Sequence, residues 1–242
     1  MKRALASIVL VLALMVPAFA QQWSPLSGIH AIDISVSGSA IWIVGTDNKV
    51  YTAPKPAPGR IAKFVPAPGS ISATRISVGD DNQPWVVSTD QGVYRFSGQG
   101  WLRIGTQSAI DISVNLNGGW CLGTDNKIYQ WTGAEWKRYS NTFKGTRLAV
   151  ANSSRVFLVG MDGSIFDCNG SDWGRLKDQK GQDIDVTGTT PWIVGSDNGV
   201  FYYQGNWLPY GAPQAQAISA SSGTPYVIGR DNKPYIGGLG AR

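Results

Sequence analysis

The feature that most constrains this chain is a ten-residue string that returns six times. It stands at Trp42–Tyr51 as WIVGTDNKVY, at Trp120–Tyr129 as WCLGTDNKIY and at Trp192–Phe201 as WIVGSDNGVF. Looser copies are WVVSTDQGVY at Trp85–Tyr94, FLVGMDGSIF at Phe157–Phe166 and YVIGRDNKPY at Tyr226–Tyr235. The common pattern is an aromatic, two apolar residues, a small residue, a polar turn carrying Asp, then an apolar residue and an aromatic. The starts are 43, 35, 37, 35 and 34 residues apart. A period of that size marks a repeat architecture, in which each unit buries its apolar face only against its neighbours.

Each unit has four parts. The third runs AIDISVNL (109–116), WCLG (120–123), KIYQW (127–131) and WKRYS (136–140). The first three alternate apolar and polar residues, the strand signal. Between the second and third parts lies a compact turn of Asp, Asn and Gly, which tolerate the positive φ that hairpins need. The fourth part opens on an aromatic in every unit: Trp23, Phe64, Trp101, Trp136, Trp173 and Trp207. Four antiparallel strands, repeated, describe the blade of a propeller. The prediction is an all-β, six-bladed β-propeller of four-stranded antiparallel blades. Thirty glycines and thirteen prolines suit many short strands with tight turns. The aromatics are offset from the central strings: Trp23 precedes the first inner strand, and none follows Tyr235. Circular closure accounts for this, with the N-terminal strand at Trp23–Leu26 closing the last blade and removing its loose edge. The first unit departs between Tyr51 and Phe64, where TAPKPAPGRIAK reads as a surface excursion because proline cannot donate to a ladder.

Met1–Ala20 reads as a signal peptide. Lys2 and Arg3 precede an apolar run from Leu5 to Val16 interrupted by Ser7, and Ala18-Phe19-Ala20 supplies the small-x-small cleavage pattern. The expected mature chain, residues 21–242, is one propeller domain, secreted or periplasmic. No later segment is apolar for even ten residues, so no membrane span is expected. The formal charge is +5, of which Lys2 and Arg3 contribute two, and basic residues never run beyond two in a row. Nucleic-acid binding, which needs a clustered basic footprint, is not expected.

The aromatic-apolar-apolar-Gly-x-Asp-x-x-apolar-Tyr core, followed by Gly-x-Trp, resembles the tectonin repeat. Residues 120–136 (WCLGTDNKIYQWTGAEW) and 192–207 (WIVGSDNGVFYYQGNW) match best, and the resemblance extends over essentially all of residues 21–242. Tectonins and the similar horseshoe-crab and fish-egg lectins are six-bladed propellers. The resemblance implies binding of microbial-surface glycans, lipopolysaccharide and methylated sugars among them, at several sites around the ring. The fourth unit departs, with Phe157 for the leading Trp and Leu148 where other inner strands have Asp. The sixth departs with Tyr226 and Pro234.

Candidate binding groups fall into two sets. The turn residues Asp47, Asn48, Asp125, Asn126, Asp197 and Asn198, with Asp90, Asp162, Asp231 and Asn232, either shape their turns through side-chain bonds to their own backbone or form a ring of polar groups for sugar hydroxyls. Tyr202, on the face opposite Tyr203, is a candidate for stacking on a sugar. Asp33, Asp111 and Asp183 open inner strands, with Arg75 near the equivalent place. They are expected at the channel mouth, on the same surface as the turns, either capping strand ends or holding a polar ligand or cation. Phe96, Trp131 and Tyr203 read as packing between blades. Cys121 and Cys168 occupy core slots on different blades, and export would permit a disulfide between them.

Catalytic constellations are sparse. His30 is the only histidine, and no G-x-S-x-G elbow occurs. Ser88–Gly92 partly resembles a sialidase Asp-box, but Arg95 stands where that motif wants an aromatic. A carboxylate pair such as Asp111 and Asp183 is the remaining route to an enzyme. The expected function is a non-enzymatic, lectin-like propeller recognising glycans at repeated weak sites, without metal or cofactor. The alternative is an envelope-protein interaction propeller without sugar binding.

Overall fold

A computed structural model of the protein describes residues 23–57, 59–116, 118–140, 142–170, 172–211 and 213–238. Residues 1–20, expected to be a signal peptide, lie outside the described residues. All regular elements are strands, and no helix occurs among the described residues. The strands form four antiparallel sheets, two of four strands and two of seven.

Within every repeat, three strands pair as the alternation predicts. In the first, Ala31–Ser37 pairs with Ala40–Gly45, which pairs with Val50–Pro54. The fourth part differs from the expected separate strand in two places. Trp101–Asn115 and Asp172–Thr187 are single strands of 15 and 16 residues. Each carries the fourth part of one repeat into the inner strand of the next, which fuses the second repeat to the third and the fourth to the fifth. Neither strand contains proline, and each passes from one repeat to the next through a bulge, at Gly105 in the first and Asp178 in the second, both with positive φ. After Phe64 and Trp207, Pro66, Pro68 and Pro213 interrupt the ladder, and the fourth strand of the first repeat shrinks to Val65–Pro66. Trp23–Pro25 pairs antiparallel with Pro234–Gly237, so the N-terminal strand is the outer strand of the last sheet.

The inner strands neighbour one another in a closed cycle: Ala31–Ser37, Ala73–Val78, Trp101–Asn115, Gly145–Val150, Asp172–Thr187, Ala215–Ser221, and back to the first. Two sets of contacts hold each repeat to the next. The first is apolar. Trp120, Leu122 and Ile128 of the third repeat pack on Leu148, Val156 and Leu158 of the fourth. Equivalent clusters follow around the cycle, the last joining Tyr226 and Ile228 to Ile34 and Ile43. The second is polar. The turn residue with positive φ (Asn48, Gln91, Asn126, Gly163, Asn198 or Asn232) turns its carbonyl toward the next inner strand. There it accepts the amide of Ala73, Ala109, Gly145, Gly181, Ala215 or Ala31, at 2.7–3.0 Å. The hairpin turn and the clasp between repeats are thus one device.

The core aromatics behave as packing groups. Phe96 lies 5.2 Å from Trp101, Trp131 5.5 Å from Trp136 and Tyr203 5.1 Å from Trp207. Cys121 and Cys168 are buried free thiols in different clusters.

Candidate functional site

The side chains facing the centre of the cycle form three stacked rings, because inner-strand residues two apart share a face. Asp33, Arg75, Asp111, Arg147, Asp183 and Ala217 form the first ring. Each occupies the same register against its second strand, opposite Val44, Val87, Leu122, Val159, Val194 and Ile228. This corrects the alignment of the fourth repeat: Arg147, not Leu148, stands where the other strands have Asp, and Leu148 takes the place of Ile34 and Ile112 in the core. The second ring is Ser35, Ser77, Ser113, Ala149, Asp185 and Ser219. The third is Ser37, Gly79, Asn115, Ala151, Thr187 and Ser221.

The first ring alternates acid and base around five of its six places. Its carboxylates are not at an open mouth, as their position at strand starts suggests, but inside, with Asp33, Asp111 and Asp183 exposed by 2%, 2% and 1%. Burial follows from Arg75, which crosses the centre. Its Nε donates to Asp111 Oδ1 at 2.9 Å and one terminal nitrogen to Asp183 Oδ1 at 2.8 Å, while the other lies 3.3 Å from Asp33 Oδ1. Arg147 Nε lies 3.2 Å from Asp183 Oδ1. The second carboxylate oxygens clasp neighbouring strands. Asp33 accepts the amide of Ile76, Asp111 that of Leu148 and Asp183 that of Ile218, at 2.7–2.8 Å. Ser35, Ser77, Ser113 and Ser219 repeat this one layer on, accepting the amides of Val78, Val114, Val150 and Val36.

Burial raises the Asp33 carboxyl to about 7, with Arg75 opposing and Asp183 and Asp111 reinforcing the rise. Burial likewise lifts Asp185 to about 6, against the amides of Ala220 and Val186. The unfolded chain releases these protons near the model-peptide value of about 3.9. The folded state therefore holds extra protons above that pH, and the stability this contributes is lost as pH rises toward 7. Urea midpoints are expected to fall between pH 5 and 8. In Asp33→Asn, which keeps an acceptor for Ile76, the fall between pH 6 and 8 should be shallower; an unchanged profile would remove Asp33 from this account.

The turn carboxylates are differently employed. In Asp47, Asp125 and Asp231, Oδ1 accepts the amide two residues on and Oδ2 accepts the hydroxyl of Tyr51, Tyr129 or Tyr235 at 2.7–3.0 Å. Asp197 differs because Phe201 replaces that tyrosine. Its Oδ1 accepts from Gly199, and Oδ2 has no hydrogen bond among the described residues. Asp197, Phe201, Pro209 and Gln214 line a cleft of 300 Å³. Asn48 and Asn126 direct Nδ2 to the carbonyls of Ala73 and Gly145, and Asn198 Oδ1 accepts from Gln182 and Arg230. Tyr202 stacks on Trp192 at 4.9 Å and meets Tyr210 edge-on, so it is a half-buried member of an aromatic cluster.

A second cleft, of 340 Å³, lies between the second and third repeats and contains Asp81, Trp85, Arg95, Trp131 and Thr132. The Arg95 guanidinium sits over the Trp85 ring at 5.7 Å. Its Nε is buried without a hydrogen-bond partner, and it has no ion pair among the described residues. In the sequence, Arg95 stands out only as a departure from the Asp-box. Its placement opposite Trp85 on the adjacent strand is set by a pairing that alternation alone does not reveal.

Residues 72–149 match the family model of the Tectonin domain. No curated protein matches the chain. Among solved structures, the WD40 repeats of RRP9 superpose with a TM-score of 0.67 at 12% identity, covering 91% of this chain and 99% of that one. The WD40 β-propeller domain of Doa1 gives 0.59 at 13%, covering 90% and 97%. PorZ of Porphyromonas gingivalis, a bacterial surface component of the type-IX secretion system, gives 0.55 at 11%; the match covers 90% of this chain and 38% of PorZ. At these identities the likeness is one of fold, and the fold is that of β-propellers.

Proposed function

We propose that this chain, whose residues 72–149 match the Tectonin domain, is a tectonin-like propeller whose six repeats are six blades, and that it is an exported, non-enzymatic carbohydrate-binding protein of the cell envelope or exterior. The tectonin match carries this reading. The two clefts supply suitable chemistry: an aromatic or prolyl wall beside a carboxylate or guanidinium with bonding capacity to spare, the usual make-up of a polar-ligand pocket. The glycans implied are microbial-surface ones, lipopolysaccharide or methylated sugars. Each site would be weak, and repetition on both partners would multiply retention through effective concentration.

The test is retention on a lipopolysaccharide-coated surface, with competition by free saccharide. Asp197→Ala and Arg95→Gln should each weaken retention, whereas Asp47→Ala and Asp125→Ala, whose carboxylates are already bonded to tyrosines, should act mainly on stability. Retention unchanged in a folded Asp47→Ala/Asp125→Ala/Asp197→Ala variant removes the turns from the binding surface.

The PorZ likeness favours a second reading, an envelope-protein interaction propeller without sugar binding. Capture of an envelope protein that free saccharide does not displace supports that reading over the first.

A further inference from the structure

The second and third rings wall a chamber of 440 Å³ at the centre of the cycle. Its rim includes Gly38, Asp80, Gly188 and Ser222, from the turns between first and second strands. It therefore opens on the face opposite the Asp-bearing turns. That volume is within the range of about 300–1,000 Å³ typical of small-molecule sites.

Four observations describe what the chamber lacks. The first ring sets three carboxylates against two guanidiniums, and its sixth place, between Asp183 and Asp33, is held by Ala217 where the alternation calls for a cation. One layer nearer the opening, Asp185 adds a carboxylate with no ion pair among the described residues. Its Oδ2 accepts the amide of Ala220 at 2.8 Å, and the Val186 amide and the Ser219 hydroxyl also bond to this carboxylate, but no cation reaches it among the described residues. Ser37, exposed by 5%, lines the chamber with a buried hydroxyl that has no hydrogen-bond partner. The rim already engages one ammonium, for Lys55 Nζ donates to Ser221 Oγ at 3.0 Å. Burial lifts Asp33 and Asp185 out of the usual carboxylate range, as expected where negative charge outweighs positive.

We propose that the chamber binds a small organic cation, a guanidinium or ammonium on a slim apolar stem. Its charge sits against Asp185, above the place left by Ala217, its N–H groups bond to Ser37 and the serine ring, and its stem lies along Val36, Val78 and Val114. A buried charge is tolerated only when paired and hydrogen-bonded, and this chamber offers a cation both, the Asp185 carboxylate and a set of hydroxyl acceptors. The site is separate from the outer clefts and does not depend on glycan binding.

The probes are n-butylguanidinium and its nearly isosteric neutral counterpart n-butylurea, titrated into the purified protein by calorimetry, with amide shifts of the inner strands as a second readout. Saturable binding of the cation at millimolar concentration or below is expected, at least about tenfold tighter than the urea, since only the cation pairs the buried carboxylate. Asp185→Asn keeps the acceptor for Ala220 and should weaken the cation by at least about tenfold. Asp172→Asn, on the exposed outer edge, should leave it unchanged. Equal affinity for the urea, undiminished binding in Asp185→Asn, or no saturable binding to the folded protein would each overturn the proposal.

Discussion

Replacing Arg75 with methionine is expected to destabilise the protein by about 3–5 kcal/mol, the usual cost of removing one partner from a buried ionic cluster. Arg75 contacts Asp33, Asp111 and Asp183 together, and its side chain is 14% exposed. Truncation strands Asp33 and Asp111, which Arg147, placed against Asp183 alone, does not reach. The loss should grow with pH, because Asp33, already raised by burial, loses the Arg75 charge that opposes the rise. Urea unfolding at pH 5 and pH 8 measures both effects. Adding Asp33→Asn and Asp111→Asn to the methionine variant should restore much of the stability, since a neutral centre carries no desolvation cost for charge. A single variant as stable as wild type at pH 8 would mean that the cluster is solvated and that Arg75 does not hold the inner strands together.

The second large effect is expected from Trp120→Ala, again about 3–5 kcal/mol. Trp120 is wholly buried, meets Tyr139 edge-on at 4.6 Å, and belongs to the cluster that joins the third repeat to the fourth. A typical domain is stable by only about 5–15 kcal/mol, so this variant forfeits a large share. The deletion opens a cavity between two repeats, and the cycle shares its strain with neighbours on both sides. Loss of cooperativity in the unfolding transition is therefore expected along with the lower midpoint. A loss below about 1 kcal/mol would show that neighbouring side chains collapse into the space.

The repeats, their strands and the closing role of Trp23–Pro25 were legible because they rest on local rules: alternation at period two, Asx-rich hairpins and an aromatic at a fixed offset. Two features were not. The long strands Trp101–Asn115 and Asp172–Thr187 join neighbouring repeats through bulges at Gly105 and Asp178, which alternation at period two does not announce. The charged ring was visible only in part. Asp33, Asp111 and Asp183 stand out in sequence, but Arg147 emerges only when RLAVA is set against DISVN and DIDVT in register. The bond from Arg75 to Asp183 spans 108 residues and crosses the centre of the cycle, which no local pattern encodes. The turn residues were legible as turns. Their further part, the carbonyl clasp on the next inner strand, follows from the positive φ only once the neighbouring repeat is in place.

The central claim is that this propeller binds glycans. Its most direct test is a glycan array probed with the folded protein, including lipopolysaccharides and methylated sugars beside host glycans. The account predicts saturable binding to a restricted set of microbial structures, released by the corresponding free saccharide. Folded protein that binds none of them, yet retains an envelope protein in the presence of those saccharides, would contradict it.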